Sequence, residues 1–203
     1  HNLPAGDWDA GERGIACHPD RVDEFRAGVD RAIEYATALG CPQVNCLVGK
    51  LPAGVSEAQA RKTLVENLRF AAEKLRAANI RLLIEPINTF DIPGFFVNRT
   101  DQALGILDEV DSGNLFIQYD IYHAQRMEGE LGNTIAKNLA RIGHLQLADN
   151  PGRGEPGTGE INYPWLFRHI DSLGYAGWIG CEYKPRGATT AEGLGWREAL
   201  AAH

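Results

Sequence analysis

Several common functional signatures are missing from this sequence. It has four cysteines, Cys17, Cys41, Cys46 and Cys181, and no two of them make a CxxC pair. That excludes a paired-thiolate zinc knuckle and a thioredoxin-like redox site. Cys46 and Cys181 lie in apolar runs, so buried free thiols in a reducing compartment are expected. No stretch reaches the roughly 20 apolar residues of a membrane-spanning helix, and no secretory leader opens the chain. A cytoplasmic protein with no membrane partner is therefore expected. There is no basic run and the net charge is −7, which argues against a nucleic-acid partner and an anionic membrane. Six histidines are too few and too scattered for a His-rich multi-zinc site. The stretch GRGEPGTGE lacks the GK[ST] of a nucleotide P-loop, so its glycines serve a tight loop instead.

What is present describes an α/β chain. With 44% hydrophobic and 23% charged residues it falls among ordinary globular domains, and its length suffices to bury roughly 70% of the unfolded surface in one domain, residues 1–203. The opening HNLPAGDW reads as the end of a strand, so the chain is expected to begin inside a domain. Pro19 suits a first helical position, and Val22, Phe25, Val29, Ile33 and Ala36 recur at helical spacing up to Gly40. A strand is expected at 43–48. A helix then starts at Ser56 with Gln59 as a capping box, placing Leu64, Leu68, Ala71 and Leu75 on one face. Further strands are expected at 80–85, 115–120, 142–148 and 178–183. Helices are expected at 100–110, about 129–140, about 163–173 and from about 189.

The strands recur at roughly 30 to 40 residues, the length of one βα unit, and are apolar rather than alternating, as in a parallel sheet covered by helices. A doubly wound sheet and a (β/α)8 TIM barrel both fit. The barrel is preferred because polar residues close four consecutive strands, and a barrel turns those ends to one mouth. With the remnant at His1 the chain offers six strands, so the first two βα units are expected to lie upstream.

The four strand-closing polar residues are Glu85 in IRLLIEP, Asp120 in NLFIQYD, Gln146 in HLQLAD and Glu182 in GWIGCEY. Any one of them alone could be a satisfied structural residue. Together, three carboxylates and an amide make an oxygen-only ligand set, suited to Mg²⁺ or Mn²⁺ rather than zinc. A carboxylate-bearing substrate also needs a cation. Lys50, ending CLVGK, and Arg153, following the Gln146 strand, are the preferred candidates ahead of Arg126 and Lys184.

EPIN, QYDIYH, HLQLADNPGRGEPGTGEI and GCEYKP together resemble the hydroxypyruvate isomerase family, one of the xylose-isomerase-like barrels, which also include sugar 3-epimerases and, more distantly, endonuclease IV. The resemblance implies that Glu85, Asp120, Gln146 and Glu182 bind a divalent metal, with Glu85 and Glu182 also transferring protons. It implies a substrate-binding role for His123 and an acidic residue near the catalytic Glu at Asp91. Many relatives carry His where Gln146 stands. The implied reaction interconverts hydroxypyruvate and tartronate semialdehyde through a cis-enediolate. A divalent ion serves there as Lewis acid and template, and two carboxylates serve as base and conjugate acid. Three alternatives stay open: a 2-oxo-tetronate isomerase of the same chemistry, an apurinic-endonuclease-like barrel, and a non-catalytic barrel. The expected partner is a small hydroxy-oxo acid, and a homo-oligomer is compatible with this reading. His144 reads as a satisfied barrel residue, and Glu155 and Glu160 as loop charges.

Overall fold

The computed structural model describes residues 1–201, and the chain divides into two compact units, His1–Gln118 and Tyr119–His203. In the first unit, a 3-10 turn at Pro19–Arg21 leads into α1 (Val22–Ala38), followed by β1 (Gln43–Cys46), α2 (Glu57–Ala77), β2 (Arg81–Ile84) and α3 (Thr100–Val110). The strand β3 (Leu115–Asp120) leaves this unit with its last two residues. β1 pairs in parallel with β2, Val44 opposite Leu82, and β2 with β3, Leu82 opposite Leu115. Parallel neighbours need a crossover, which is what the intervening helices supply.

The expected helical faces are the buried ones, except that Val22 and Ile33 of the first are only half-buried. α1 turns Phe25, Val29, Ala32 and Ala36 inward, and α2 turns Leu64, Leu68, Ala71 and Leu75 inward. Full burial of each such leucine contributes about 1.5–3 kcal/mol. Ser56 starts α2 by accepting a hydrogen bond from the Gln59 amide. The opening residues extend the ladder: Leu3 donates to the Asn45 carbonyl, and Asn45 donates to that of His1.

The second unit contains α4 (Ile121–Met127), α5 (Leu131–Asn138), a 3-10 turn at Leu139–Arg141 and β4 (Ile142–Leu147). It continues with α6 (Tyr163–Ser172), β5 (Ile179–Cys181), a 3-10 turn at Glu192–Gly195 and α7 (Trp196–Ala201). β4 and β5 are parallel, with Gln146 opposite Gly180. Asn162 caps α6 at the Trp165 amide, and Tyr163, Leu166 and Ile170 are buried.

Five expectations change. α4 was not anticipated, because seven residues carry too few apolar repeats to show a period. The helix expected at 129–140 ends earlier and tightens to 3-10 geometry at Leu139. The last strand shortens to Ile179–Cys181, leaving Trp178 87% exposed, and the last helix begins as a 3-10 turn. Cys17 and Cys46 are buried, but Cys181 is exposed, because the short β5 is only partly covered. Burial pushes the Cys17 thiol up to about 12, which keeps it protonated and inert. Among the described residues, no helix is long and apolar enough to cross a membrane.

Candidate active site

Asp120 closes β3 and at the same moment opens α4. Its Oδ1 accepts hydrogen bonds from the backbone amides of Tyr122 (2.8 Å) and His123 (3.3 Å), an N-cap that satisfies two otherwise unpaired donors. Its other oxygen, Oδ2, is buried and accepts no hydrogen bond among the described residues. His123 Nε2 stands 3.8 Å from that oxygen and Arg153 Nη2 stands 3.9 Å from it. Burial pushes the Asp120 carboxyl up, and Arg153 and the two capping amides oppose the shift.

Glu182 follows β5. Its carboxylate, 48% exposed, is 2.7 Å from Arg153 Nη2. Burial raises its pKa and Arg153 lowers it, while Asp120 raises it further. Asp120, His123 and Glu182 each offer one ligand atom, and these atoms lie within 4.8 Å of one another.

Gln146 lies on β4, and its Oε1 is a second buried oxygen without a partner among the described residues. A β-carbon at Gly180, its register partner, would stand 3.4 Å from Gln146 Cγ and 3.0 Å from His144 Nε2. The glycine in GWIGCEY thus makes room for both side chains. Arg153 comes from the loop after β4, at a positive φ of 55°, with its guanidinium 5.2 Å from the Tyr122 ring. Arg126 donates to the hydroxyl of the same tyrosine over 2.9 Å.

In the first unit, Glu85 immediately follows β2 and is 4% exposed. Its Oε2 accepts hydrogen bonds from Asn45 Nδ2 and Gln118 Nε2, each at 2.8 Å. Two amides on β1 and β3 therefore fix the direction of a carboxylate set between them. Sequence reasoning missed both, although each shows the signal that exposed Gln146, a polar amide inside an apolar strand. Asp91 binds Asn88, through Asn88 Nδ2 at 3.1 Å and through its own amide at 2.8 Å. Lys50 Nζ donates to the Gly11 carbonyl over 3.1 Å, so its ammonium fastens the opening loop. Among the aromatics outside the helices and strands, Trp8 and Phe90 are exposed, whereas Phe95 is buried.

The family described as xylose isomerase-like TIM barrel matches residues 1–200. Hydroxypyruvate isomerase of Escherichia coli is 64% identical over 198 residues, covering 98% of this chain and 76% of that protein. A 2-oxo-tetronate isomerase of Cupriavidus necator is 49% identical over 195 residues, covering 96% of this chain and 75% of its own. The crystal structure of a Brucella melitensis protein titled AP endonuclease, family 2, superposes with a TM-score of 0.94 at 44% identity, covering 98% of this chain and 76% of that one. The barrel preferred from the polar strand ends is thus the fold of the matching family. The chain belongs to the xylose isomerase-like TIM barrel family and, within it, to the hydroxypyruvate isomerase family, and it is an enzyme of the isomerase class.

Proposed function

We propose that the protein interconverts hydroxypyruvate and tartronate semialdehyde in the cytoplasm, with Mg²⁺ or Mn²⁺ held by Glu85, Asp120, Gln146 and Glu182. The observation that carries this reading is the pair of oxygens Asp120 Oδ2 and Gln146 Oε1, both buried without a hydrogen-bond donor among the described residues. Buried polar atoms are costly to leave unpaired, and a hard cation is what an all-oxygen set of this kind would accept. The residues therefore fit the metal. When bound, a divalent ion supplies Lewis-acid stabilisation of negative charge on adjacent oxygens.

The remaining steps belong to side chains. Glu85 and Glu182 act as base and conjugate acid, one removing a proton from a hydroxyl-bearing carbon and the other delivering one to its neighbour. Asn45 and Gln118 hold the Glu85 carboxylate in a fixed orientation through its Oε2. Arg153 binds the substrate carboxylate, a planar anion matched to its forked donors. His123, Lys50 and Asp91 complete the substrate-binding set in this reading.

A second reading keeps the chemistry and lengthens the acid to a 2-oxo-tetronate, favoured by the relative of that name at 49% identity. Purified protein stripped with chelator and restored with Mg²⁺ or Mn²⁺ tests both against hydroxypyruvate, a 2-oxo-tetronate and abasic-site DNA. Metal-restored turnover of hydroxypyruvate with the higher kcat/KM is expected. A higher kcat/KM for the four-carbon acid selects the second reading. Cleavage of abasic DNA without turnover of either acid overturns both.

A further inference from the structure

We propose that Glu155 is a positioning residue, one that aligns Arg153 and Glu182 for the reaction proposed above, on which this assignment rests. Beyond the ends of β4 and β5 the two segments remain fastened side by side. The Glu182 amide donates to the Leu147 carbonyl over 3.0 Å, and the Lys184 amide to the Arg153 carbonyl over 2.7 Å. Two residues further, the Arg186 amide donates to Glu155 Oε1 over 2.9 Å. Glu182 is therefore held on both sides by backbone bonds to the strand and loop that carry Gln146 and Arg153. The Glu155 side chain supplies the outermost fastening.

The loop itself is built to present that side chain. Asp149 is fully buried, and its carboxylate accepts hydrogen bonds from the backbone amides of Asn150 (2.9 Å), Gly157 (2.8 Å) and Ile161 (3.1 Å). One carboxylate thus closes the whole glycine-rich turn. Two glycines allow the close approach around Glu155: a β-carbon at Gly193 would stand 2.4 Å from Glu155 Oε1, and one at Gly154 would stand 3.2 Å from Arg186 Nε. Glu155 is only 5% exposed, and its Oε2 has no partner among the described residues. A buried carboxylate is costly to keep. Its hydrogen bond from the Arg186 amide joins the Arg153 loop to the Glu182 segment, so the benefit falls on the mutual placement of those two residues.

Hydrogen exchange and kinetics on Glu155→Ala, Glu155→Asp and Glu155→Gln test this. Ala removes the acceptor and Asp withdraws it by one methylene, whereas Gln retains a carbonyl oxygen at full length. In the Ala and Asp variants the amides of Lys184 and Arg186 are expected to exchange roughly tenfold faster, with residues 22–38 unchanged. Gln is expected to restore wild-type protection. In the isomerase assay Ala lowers kcat/KM about 10²-fold, the scale of a misplaced catalytic group. Combined with Arg153→Ala it lowers kcat/KM by clearly less than the product of the two single losses, because both changes disturb the Arg153 setting. Wild-type exchange in both shortened variants, or fully multiplicative losses in the double variant, overturns the assignment. Loss of protection in a protein that turns over neither acid upholds the fastening and instead sinks the proposed reaction.

Discussion

Arg153 Nη2 lies 2.7 Å from Glu182 Oε2, and the same nitrogen is 3.9 Å from Asp120 Oδ2. One guanidinium therefore faces two carboxylates that burial would otherwise push toward protonation. It lowers both, and so favours the charged forms that the proposed metal binding would need. In the proposed reaction a substrate carboxylate arriving at Arg153 would compete for donors already in use by Glu182.

Replacing Arg153 with Ala is expected to raise KM more than it lowers kcat, with kcat/KM falling roughly 10²-fold, typical of removing one partner from a desolvated charge pair. Lys restores charge without the forked donors and should recover only part of the loss. Steady-state kinetics on the two variants check this. An unchanged KM in both removes Arg153 from the substrate site.

Gln146 Oε1 has no partner among the described residues, so the amide is a cost to the metal-free fold. Gln146→Met keeps the volume and removes that cost. Its metal-free melting temperature is expected to equal or exceed that of the wild type, while Mn²⁺ affinity falls by about tenfold or more. Calorimetric titration and thermal unfolding in chelator read the two separately. A lower metal-free Tm with unchanged Mn²⁺ affinity makes Gln146 structural.

Glu85→Gln and Glu182→Gln should each reduce turnover about 10²–10⁴-fold at saturating Mn²⁺, the loss expected for a positioned acid or base. Asp120→Asn should be largely rescued by excess metal, since its oxygen at the start of α4 can still accept the Tyr122 and His123 amides. Asp120→Ala loses that cap as well, at about 1 kcal/mol of stability. In heavy water the wild type should incorporate solvent deuterium at the carbon that gains the proton. Complete retention of the original hydrogen, with near-normal turnover in both Gln variants, excludes the two-carboxylate scheme.

The first unit carries a separate acid-sensitive contact. Arg21 donates to Glu12 Oε1 over 2.7 Å and to Glu24 Oε2 over 2.5 Å. The Arg21 hydrogen bond holds each carboxyl below its ordinary value of 4.5. A depressed folded pKa stabilises the native state above the unfolded pKa, and that stability is lost as pH falls through the folded value. The Tm difference between wild type and Glu12→Gln is thus expected to be full at neutral pH and to shrink steadily below 4.5. A difference independent of pH assigns the effect to packing alone.

The sequence by itself determined the order of strands and helices and the chemistry at their ends. Periodicity suffices for that: Leu64, Leu68, Ala71 and Leu75 fall on one helical face in any compact fold, and an apolar strand closed by Glu or Asp is visible in one dimension. It also marked Gln146, because an amide within an apolar strand demands a partner. Asn45 and Gln118 showed the same signal, but their shared partner, Glu85, lies 40 and 33 residues from them. Only parallel pairing of β1, β2 and β3 brings those three side chains into register. α4 was invisible for a related reason: its start depends on Asp120, a residue whose capping role is a matter of backbone direction after the strand, not of pattern. The setting of Arg153 was likewise decided in three dimensions. Its loop is closed by Asp149 and fastened through Glu155 to Arg186, contacts between backbone amides and distant carboxylates that leave no periodic trace in the chain.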